Sequence, residues 1–401
     1  MTQKFPISGS TWDNNVDEAV SLIKRSQSFL FCGDIDPDSV GSMLALALYL
    51  RLLKKQAYLV ISEGLSDNLD YMRHILEYNS VTILQKAEDI CAVREKIDTV
   101  IFCDTANTKL VPHYPVIRES ILSRKLPVIE IDHHFGADSE ELTSNGIKLF
   151  RKANANTEII GELLEKLSGG REGAPQPFNH RNIVIGLITG LLGDTVGGKV
   201  VHDQESYDHW MSLLEAQLQK YTRWRESAPD RLPDNKGEKF GTTSSILAYL
   251  NKLSDEQNAC LVTLKDRITV DGGLGFLNIM NSTYSQVKDV CQPYDSDGFV
   301  DILGFLMNIV PEESGKAGLV CYHGKNAERK NCIFIKLRRA VDYDGFDLRR
   351  AEDEIKKAFE DMYMGGGGHP GAVSFRIQPL DENEFLAKLE PVVTFIKSHL
   401  R

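Results

Sequence analysis

The sequence predicts an α/β protein: a parallel, five-stranded sheet flanked by helices, followed by a smaller α/β domain. The main observation is an alternation of apolar, strand-like runs with helical segments between residues 28 and 135. Such alternation is typical of a parallel sheet covered by helices on both faces. The chain also has 401 residues, and short apolar runs return after about residue 255. Because this length is large for one domain, we expect two domains joined by a linker.

The first predicted domain contains five strands and the helices between them. The predicted strands cover 28–32, 57–61, 81–84, 98–103 and 127–131. The predicted helices between them cover about 39–54, 67–77, 87–96 and 115–124. Two further helices are expected, from Asn156 to about Leu167 and from Arg181 to Leu192. The sequence thus predicts a sheet whose helices lie on both sides.

The second half of the chain has a different composition. Charged and aromatic residues become frequent between 203 and 254, which is predicted to be a helical linker. The predicted domains are therefore 1–202 and 255–401. Strands of the second domain are expected at Ala259–Leu264, Ile302–Val310, Ala317–Tyr322 and Cys332–Leu337.

A run of four glycines, Gly365–Gly368, precedes His369 near the C-terminus. It follows a predicted helix, Leu348–Met362, and a helix C-cap needs only one glycine. A loop of this composition lets backbone N–H groups approach an anion closely. The alternative is a flexible hinge.

Acidic residues and imidazoles follow several of the predicted strands. Asp36 and Asp38 follow the first strand, Asp104 follows the fourth, and Asp132-His133-His134 follow the fifth. The carboxyl ends of parallel strands meet at one edge of a sheet, where ligands bind. Asp194 adds a fourth acidic position at the end of an apolar helix. Alone, Asp132-His133-His134 could equally be a capped turn with two solvent-facing histidines.

The overall charge limits the choice of partner. The formal net charge is −11 and the isoelectric point is near 5.5, which argues against a protein that coats long double-stranded nucleic acid. Small phosphorylated substrates remain open. The N-terminal residues do not resemble a signal peptide, and the most apolar run, Met43–Leu53, is too short to span a bilayer. We therefore expect a cytoplasmic protein without a membrane partner.

Several short motifs occur in a specific order. They are Asp36-Pro37-Asp38, Asp104-Thr105, Asp132-His133-His134, Gly193-Asp194-Thr195 and Gly365–Gly368 with His369. In this order the chain resembles the DHH phosphoesterase superfamily. More narrowly, it resembles the bacterial nanoRNases, pAp phosphatases and cyclic-dinucleotide phosphodiesterases, which join a DHH domain to a DHH-associated C-terminal domain. The resemblance covers about residues 25 to 200 and 255 to 380.

The resemblance implies a metal-dependent hydrolase with an active-site cleft between its two domains. Its expected substrates are nanoRNA, linear or cyclic dinucleotides, or pAp, attacked by hydroxide that two divalent metal ions activate. Oxygen ligands with some imidazole suit Mn²⁺. The alternatives are an exopolyphosphatase and a degenerate relative that binds nucleotides without cleaving them. A homodimer is the generic expectation for a soluble enzyme.

The resemblance also assigns roles to single residues. The implied metal ligands are Asp36 for one ion, Asp38, His133 and Asp194 for the other, and Asp104 between both. Asp132 would orient His133 from behind, and His134 would face the substrate phosphate, so that Asp104, His133 and His134 are the expected catalytic residues. The implied substrate contacts are His134, Arg338, Gly367, Gly368 and His369.

Cys32 departs from the family pattern. The family usually has a histidine four residues before the first aspartate of its Asp-x-Asp pair, and Cys32 occupies that position. A thiolate is a soft ligand that would favour Zn²⁺ or Fe²⁺ and would need a lowered pKa. The alternative is that Cys32 is a buried strand residue and that the first ion has fewer ligands.

Overall fold

The computed structural model describes residues 2–62, 65–135, 139–169, 173–227, 240–253, 255–280, 298–325 and 330–400. The side chains of 222–227, 255–256, 298–301 and 369 lie outside this description. The chain divides into two compact units, Met1–Lys252 and Leu253–Arg401.

The first unit is built on a six-stranded sheet in which all paired strands run parallel. Its strands are β1 (Ser28–Gly33), β2 (Gln56–Val60), β3 (Thr82–Leu84), β4 (Thr99–Cys103), β5 (Val128–Asp132) and β6 (Ile147–Phe150). The spatial order is β3-β2-β1-β4-β5-β6. The order therefore reverses between β1 and β4, and ligands of open α/β sheets bind at such a reversal.

The five predicted strands are present, and the sixth strand was not predicted. β6 has four residues, and Lys148 interrupts its apolar run. Its lysine reaches the buried Glu130 on β5, a partner that a short sequence window does not contain. The sheet is thus one strand wider than the sequence indicated.

Helices cover both faces of this sheet. The helices of the first unit are α1 (Gly9–Arg25), α2 (Pro37–Leu52), α3 (Asp70–Tyr78), α4 (Ala87–Val93), α5 (Tyr114–Ser120), α6 (Asn156–Ser168), α7 (Arg181–Asp194), α8 (Gln204–Ser227) and α9 (Thr243–Leu250). Side chains from α1, α2, α6 and α7 form the core on one face, and α4 and α5 pack on the other. The predicted helical linker contains α8 and α9, and Leu214, Leu218 and Ile246 of these helices pack into the first unit's core.

Close packing of α2 against α7 brings two acidic segments together. A Cβ atom on Gly41 of α2 would lie 2.5 Å from the carbonyl oxygen of Gly186 on α7, so only glycine permits this approach. A Cβ atom on Gly190 would lie 2.5 Å from Oδ1 of Asp38. The helices therefore place Asp194, the last residue of α7, beside the start of α2.

The second unit has a mixed sheet with helices on both faces. Its strands are β7 (Thr269–Asp271), β8 (Leu274–Ile279), β9 (Ala317–Lys325), β10 (Asn331–Arg339), β11 (Tyr363–His369) and β12 (Ala372–Ile377), in the order β11-β12-β10-β9-β8-β7. Only β8 and β9 pair in parallel among these described strands. The helices are α10 (Asp255–Lys265), α11 (Gly298–Ser314), α12 (Ala351–Phe359) and α13 (Glu382–His399).

Three local predictions for this unit were wrong. Ala259–Leu264 and Ile302–Val310 are helical, not strands, because a short apolar run does not distinguish a strand from a buried helix. Gly365–Gly368 lie in the edge strand β11 instead of a loop. A Cβ atom on Gly368 would lie 2.2 Å from the carbonyl oxygen of Ala372, so the close pairing with β12 requires glycine.

No helix among the described residues is long and apolar enough to cross a membrane.

Candidate metal centre

Acidic and imidazole side chains from four elements converge at the carboxyl edge of the first unit's sheet. Asp38 lies in the first turn of α2, Asp104 directly follows β4, His133 directly follows β5, and Asp194 ends α7. Their ligand atoms form two overlapping groups that could hold a cation, in each of which all atoms lie within 4.8 Å of one another. One group is Asp38, His133 and Asp194, and the other is Asp104, His133 and His134.

His133 is common to both groups. Its Nε2 atom lies 3.1 Å from Oδ2 of Asp194, 3.3 Å from Oδ1 of Asp104 and 3.8 Å from Oδ2 of Asp38. Its Nδ1 atom lies 3.2 Å from the carbonyl oxygen of Ala153. A proton held at Nδ1 by this carbonyl leaves the Nε2 lone pair directed at the three carboxylates. This is the orientation that a metal-binding histidine needs.

The start of α6 holds Asp38 in place. The backbone N–H of Asn156 donates to Oδ2 of Asp38 at 2.5 Å, and that of Thr157 donates to Oδ1 at 3.0 Å. A helix N-terminus offers such free donors and favours negative charge. The side chain of Asp38 is completely buried. The carboxylate is therefore fixed before any ligand binds.

Asp104 has an unusual backbone and no hydrogen-bond partner for its carboxylate. Its φ angle is +49°, a left-handed conformation that aspartate adopts more readily than most residues. Both carboxylate oxygens of Asp104 and Nε2 of His133 are buried. Within the described part of the chain, none of these three atoms has a hydrogen-bond partner. Burial without a partner is costly. A divalent cation would satisfy all three atoms at once, so this donor set fits a metal ion.

Burial and mutual repulsion raise the pKa values of the acids. Burial, followed by the charge of Asp194, raises the pKa of Asp38 to about 7, and burial raises that of Asp36 to about 6. Burial and the charge of Asp38 raise the pKa of Asp104 well above its usual range. Burial opposes the charged form of His133, but the carboxylates of Asp104 and Asp194 outweigh it and raise its pKa. Without a cation the cluster therefore retains protons, which a divalent ion would displace.

Asp132 lies behind the centre and orients the two histidines. Its Oδ1 accepts the backbone N–H groups of His133 at 2.8 Å and His134 at 3.2 Å, and lies 2.8 Å from Nδ1 of His134. The side chain of Asp132 therefore contacts the ring of His134, whereas the ring of His133 contacts Ala153. Its second oxygen, Oδ2, accepts a hydrogen bond from Lys4.

Asp36 and Cys32 are members of neither group. Asp36 caps α2, and its Oδ1 accepts the backbone N–H of Ser39 at 2.8 Å. Cys32 is fully buried on β1 within an apolar cluster that includes Leu30 and Val60. Burial raises the pKa of the Cys32 thiol. Neither residue belongs to a cation-binding group among the described residues.

The remaining predicted site residues belong to the second unit. Arg338, near the end of β10, donates to Oδ1 of Asn308 and is half-buried. Gly367 and Gly368 lie in the edge strand β11, and the side chain of His369 is outside the described residues.

Arg338 shares one face of the sheet with aromatic and basic residues. The Tyr322 and Phe334 rings stack at 5.0 Å with an interplanar angle of 13°. The Lys336 ammonium lies 5.7 Å from the Tyr322 ring centre and 6.0 Å from that of Phe334. Arg376 of β12 pairs in register with Phe334. We call this set, Tyr322, Phe334, Lys336, Arg338 and Arg376, the basic-aromatic face.

Sequence reasoning missed three features of the centre. The first is the pair of backbone N–H groups from Asn156 and Thr157, for which the predicted start of α6 was a usable signal. The second is Gly190, whose missing side chain leaves room for Asp38. The third is Lys4, which is 128 residues from its partner Asp132 and has no signal in the local sequence.

Carboxylates and an imidazole that converge at the reversal point of a parallel sheet define a candidate divalent-metal centre, of the kind used to hydrolyse phosphate esters. Residues 28–189 match the family model described as "DHH family, N-terminal domain". Residues 28–189 of the first unit are therefore similar to this domain, and members of the DHH family are phosphoesterases. The resemblance to the DHH superfamily that the motifs indicated is confirmed over these residues, and the narrower resemblance to nanoRNases, pAp phosphatases and cyclic-dinucleotide phosphodiesterases stays a prediction.

Two solved structures are compared with this chain. An exopolyphosphatase-related protein from Bacteroides fragilis is 17% identical, with 97% of this chain and 98% of that chain covered and a TM-score of 0.60. RecJ from Thermus thermophilus in complex with Mn²⁺ is 14% identical, with 95% of this chain and 54% of that chain covered and a TM-score of 0.41. No curated protein matches the sequence. At these identities, the first likeness shows a common fold.

Proposed function

We propose that this protein is a metal-dependent phosphoesterase that hydrolyses phosphodiester or phosphomonoester bonds of short nucleotides. The observation that carries the proposal is the convergence of Asp38, Asp104, His133 and Asp194, where both carboxylate oxygens of Asp104 and Nε2 of His133 are buried without hydrogen-bond partners among the described residues. The candidate substrates are nanoRNA, linear or cyclic dinucleotides, and pAp.

The chain's residues would divide the work as follows. Asp38, Asp104, His133 and Asp194 would hold one divalent ion, and Asp36 with Asp104 would hold a second. When bound, such ions, Mn²⁺ in our proposal, polarise a phosphoryl oxygen and lower the pKa of water. The backbone N–H groups at the start of α6 hold the Asp38 carboxylate in place.

His134 would stabilise charge on the substrate phosphate. Its Nδ1 lies 2.8 Å from Asp132, and its side chain is 40% exposed, so that Nε2 is free to donate to a phosphate oxygen. Burial opposes the charged form of this ring, but Asp132 outweighs it and raises the pKa of His134. A protonated ring is the stronger donor to an anion.

The basic-aromatic face supports a nucleotide over a polyphosphate chain. Arg338 would contact a substrate phosphate, for which its planar guanidinium is suited. The stacked rings of Tyr322 and Phe334 offer a surface for a nucleobase, and such stacking contributes about 1–3 kcal/mol per base. Polyphosphate has no base to use this surface. Gly367, Gly368 and His369 are proposed to contact the terminal nucleotide, as the family resemblance implies.

The test is hydrolysis of three substrates by the purified protein: a 5′-phosphorylated RNA dinucleotide, pAp and polyphosphate. Mn²⁺, Mg²⁺, Zn²⁺ and Fe²⁺ are supplied separately. Asp104→Asn is the inactive control. Asp98→Asn is its matched control, because it makes the same substitution at an aspartate that accepts hydrogen bonds from the backbone N–H groups of Gln27 and Ser28. We expect mononucleotide release by the wild type and Asp98→Asn, and none by Asp104→Asn.

Two results would overturn parts of this proposal. Release of phosphate from polyphosphate alone would establish an exopolyphosphatase. No hydrolysis of any substrate under any metal would indicate a nucleotide-binding protein without chemistry. Phe334→Leu sharpens the choice, since loss of stacking should raise KM for the dinucleotide about tenfold and leave polyphosphate cleavage unchanged.

A further inference from the structure

Lys4 is a buried lysine whose ammonium lies at the back of the candidate metal centre. It is 2% exposed, and lysine is rarely so buried unless it is paired. Its Nζ donates to Oδ2 of Asp132 and, at 2.5 Å, to the carbonyl oxygen of Thr105. The Nζ atom also lies 5.3 Å from the centre of the Phe150 ring. One ammonium therefore joins the residue after Asp104 to the first residue of Asp132-His133-His134.

The backbone around Lys4 is held independently of its side chain. The N–H of Lys4 donates to the carbonyl oxygen of Ser139 at 3.3 Å. The N–H of Glu141 donates to Thr2 at 2.7 Å, and that of Ile7 donates to Phe150 at 2.7 Å. These bonds anchor the N-terminal segment beside β6. A substitution of the side chain should therefore leave the segment in place.

The two oxygens of Asp132 have separate partners. Oδ1 contacts the backbone of both histidines and the ring of His134, whereas Oδ2 contacts Lys4. The position of Oδ1, and with it the direction of the His134 ring, depends on what holds Oδ2. Without this ammonium, Oδ2 of the buried Asp132 would lose the hydrogen bond that holds it.

We propose that Lys4 is a positioning residue of the metal centre, which holds Asp132 so that His134 and the backbone of His133 keep their orientation. The kinetic part of this inference rests on the proposed function, and the spectroscopic part does not. A buried ion pair is weak evidence for a role in stability. The contact with Thr105, next to Asp104, instead connects Lys4 to both strand ends that form the centre.

Lys55 provides a matched control. It is also a buried lysine, 6% exposed, whose Nζ donates to the carbonyl oxygens of Ser26 and Lys24 and lies 5.9 Å from the Phe29 ring. These partners are backbone groups at the opposite end of β1 from Asp36. Lys55→Met should therefore reproduce the general effect of removing a buried ammonium, without a change at the metal centre.

The experiment compares Lys4→Met, Lys4→Gln and Lys55→Met in the full chain. The ¹⁵N signals of the His134 ring are measured in metal-free protein, followed by Mn²⁺ affinity and by kcat and KM for the substrate that the wild type cleaves. For Lys4→Met we expect shifted His134 signals, with Mn²⁺ affinity or kcat about 10–100-fold lower. For Lys55→Met we expect wild-type signals, affinity and kcat. Lys4→Gln, which keeps a donor, should lie between Lys4→Met and the wild type.

The outcomes separate the two claims. Wild-type His134 signals in Lys4→Met, or equal changes in Lys55→Met, would overturn the positioning role. If Lys4→Met does not fold, the His134 signals of Lys4→Gln are compared with those of the wild type and Lys55→Met, and the same outcomes would overturn the positioning role. If the wild type cleaves nothing, the ring signals and the Mn²⁺ affinity still test Lys4, and only the proposed function fails.

Discussion

The candidate metal centre has two sides that differ in construction. On one side, Asp38, Asp104, His133 and Asp194 come from four elements, and backbone groups of Asn156, Thr157 and Ala153 hold two of them from behind. We call this the His133 side. On the other, the Cys32 side, Asp36 uses one oxygen to cap α2, and Cys32 packs among apolar residues. Asp36 and Asp38 are two positions apart in the sequence, yet they have different surroundings because a helix starts between them.

This difference predicts unequal metal binding. The His133 side supplies four donors, of which Asp104 and His133 have buried atoms without hydrogen-bond partners in the described part of the chain. The Cys32 side supplies one carboxylate and shares Asp104. We therefore expect a tightly bound ion on the His133 side and a weaker one on the Cys32 side.

The largest effect is expected for Asp104→Asn, which affects both sides. Its carboxylate faces His133 and has no hydrogen-bond partner among the described residues, so the neutral amide keeps the shape and removes the charge. Hydrolysis should fall below detection while the circular dichroism spectrum stays unchanged. Wild-type activity in this variant would refute the assignment of Asp104 as a shared metal ligand.

The second-largest effect is expected for Asp194→Asn on the His133 side, compared with Asp36→Asn on the Cys32 side. Asp194→Asn should lower Mn²⁺ affinity about 10–100-fold, because it removes a carboxylate that lies 3.1 Å from Nε2 of His133. Asp36→Asn should lower the affinity of the first ion less than tenfold. Asparagine caps helices as well as aspartate does, so the stability of Asp36→Asn should be unchanged. Equal losses in both variants, measured by calorimetric titration, would show that the two sides are equivalent.

The pH dependence of stability tests the charge repulsion within the centre. The pKa of Asp36 is raised to about 6 and that of Asp38 to about 7, from an ordinary value of 3.8. Between pH 3.8 and the raised pKa of each group, the folded state therefore binds more protons than the unfolded state. The stabilisation from these groups is full below pH 3.8 and is lost as pH rises through about 6 and 7.

Urea unfolding of metal-free protein at several pH values measures this effect. Asp104 also has a raised pKa, so the variant Asp104→Asn should become more stable relative to the wild type as pH rises. The difference should be on the order of 1–3 kcal/mol above neutral pH. Mn²⁺ should restore the stability of the wild type, because the bound cation takes the place of the protons among the carboxylates. A relative stability that falls with pH would contradict the account.

The smallest effect is expected for Cys32→Ala. The thiol is buried among apolar side chains and its pKa is raised, so it should not bind a metal ion as a thiolate. The variant should lose about 1 kcal/mol of stability from a small cavity and retain Mn²⁺ and Zn²⁺ affinity. A tenfold loss of Zn²⁺ affinity would make Cys32 a ligand and the Cys32 side a complete site.

Sequence patterns predicted the parts of this molecule that depend on local order. Five strands followed from apolar runs, and the acids at their ends marked one edge of the sheet. Asp194 was found because it follows an apolar helix directly. β6 was missed because Lys148 lies in its middle, and its stabilising partner Glu130 belongs to another strand.

The missing parts depend on contacts between distant segments. The packing of α2 on α7 requires Gly41, Gly186 and Gly190 at the points of closest approach, and isolated glycines in a helix give no such indication. Lys4 and Asp132 are 128 positions apart. In the second unit, four glycines predicted a loop because glycine is depleted in strands, whereas close pairing of β11 with β12 requires them.

The central claim is that Asp38, Asp104, His133 and Asp194 hold a divalent cation. The most direct measurement is a Mn²⁺ titration of wild type, Asp104→Asn and Cys32→Ala, followed by electron paramagnetic resonance. We predict at least one tightly bound Mn²⁺ per chain in the wild type and in Cys32→Ala, and loss of that ion in Asp104→Asn. Tight binding that persists in Asp104→Asn, or no tight binding in the wild type, would contradict the claim.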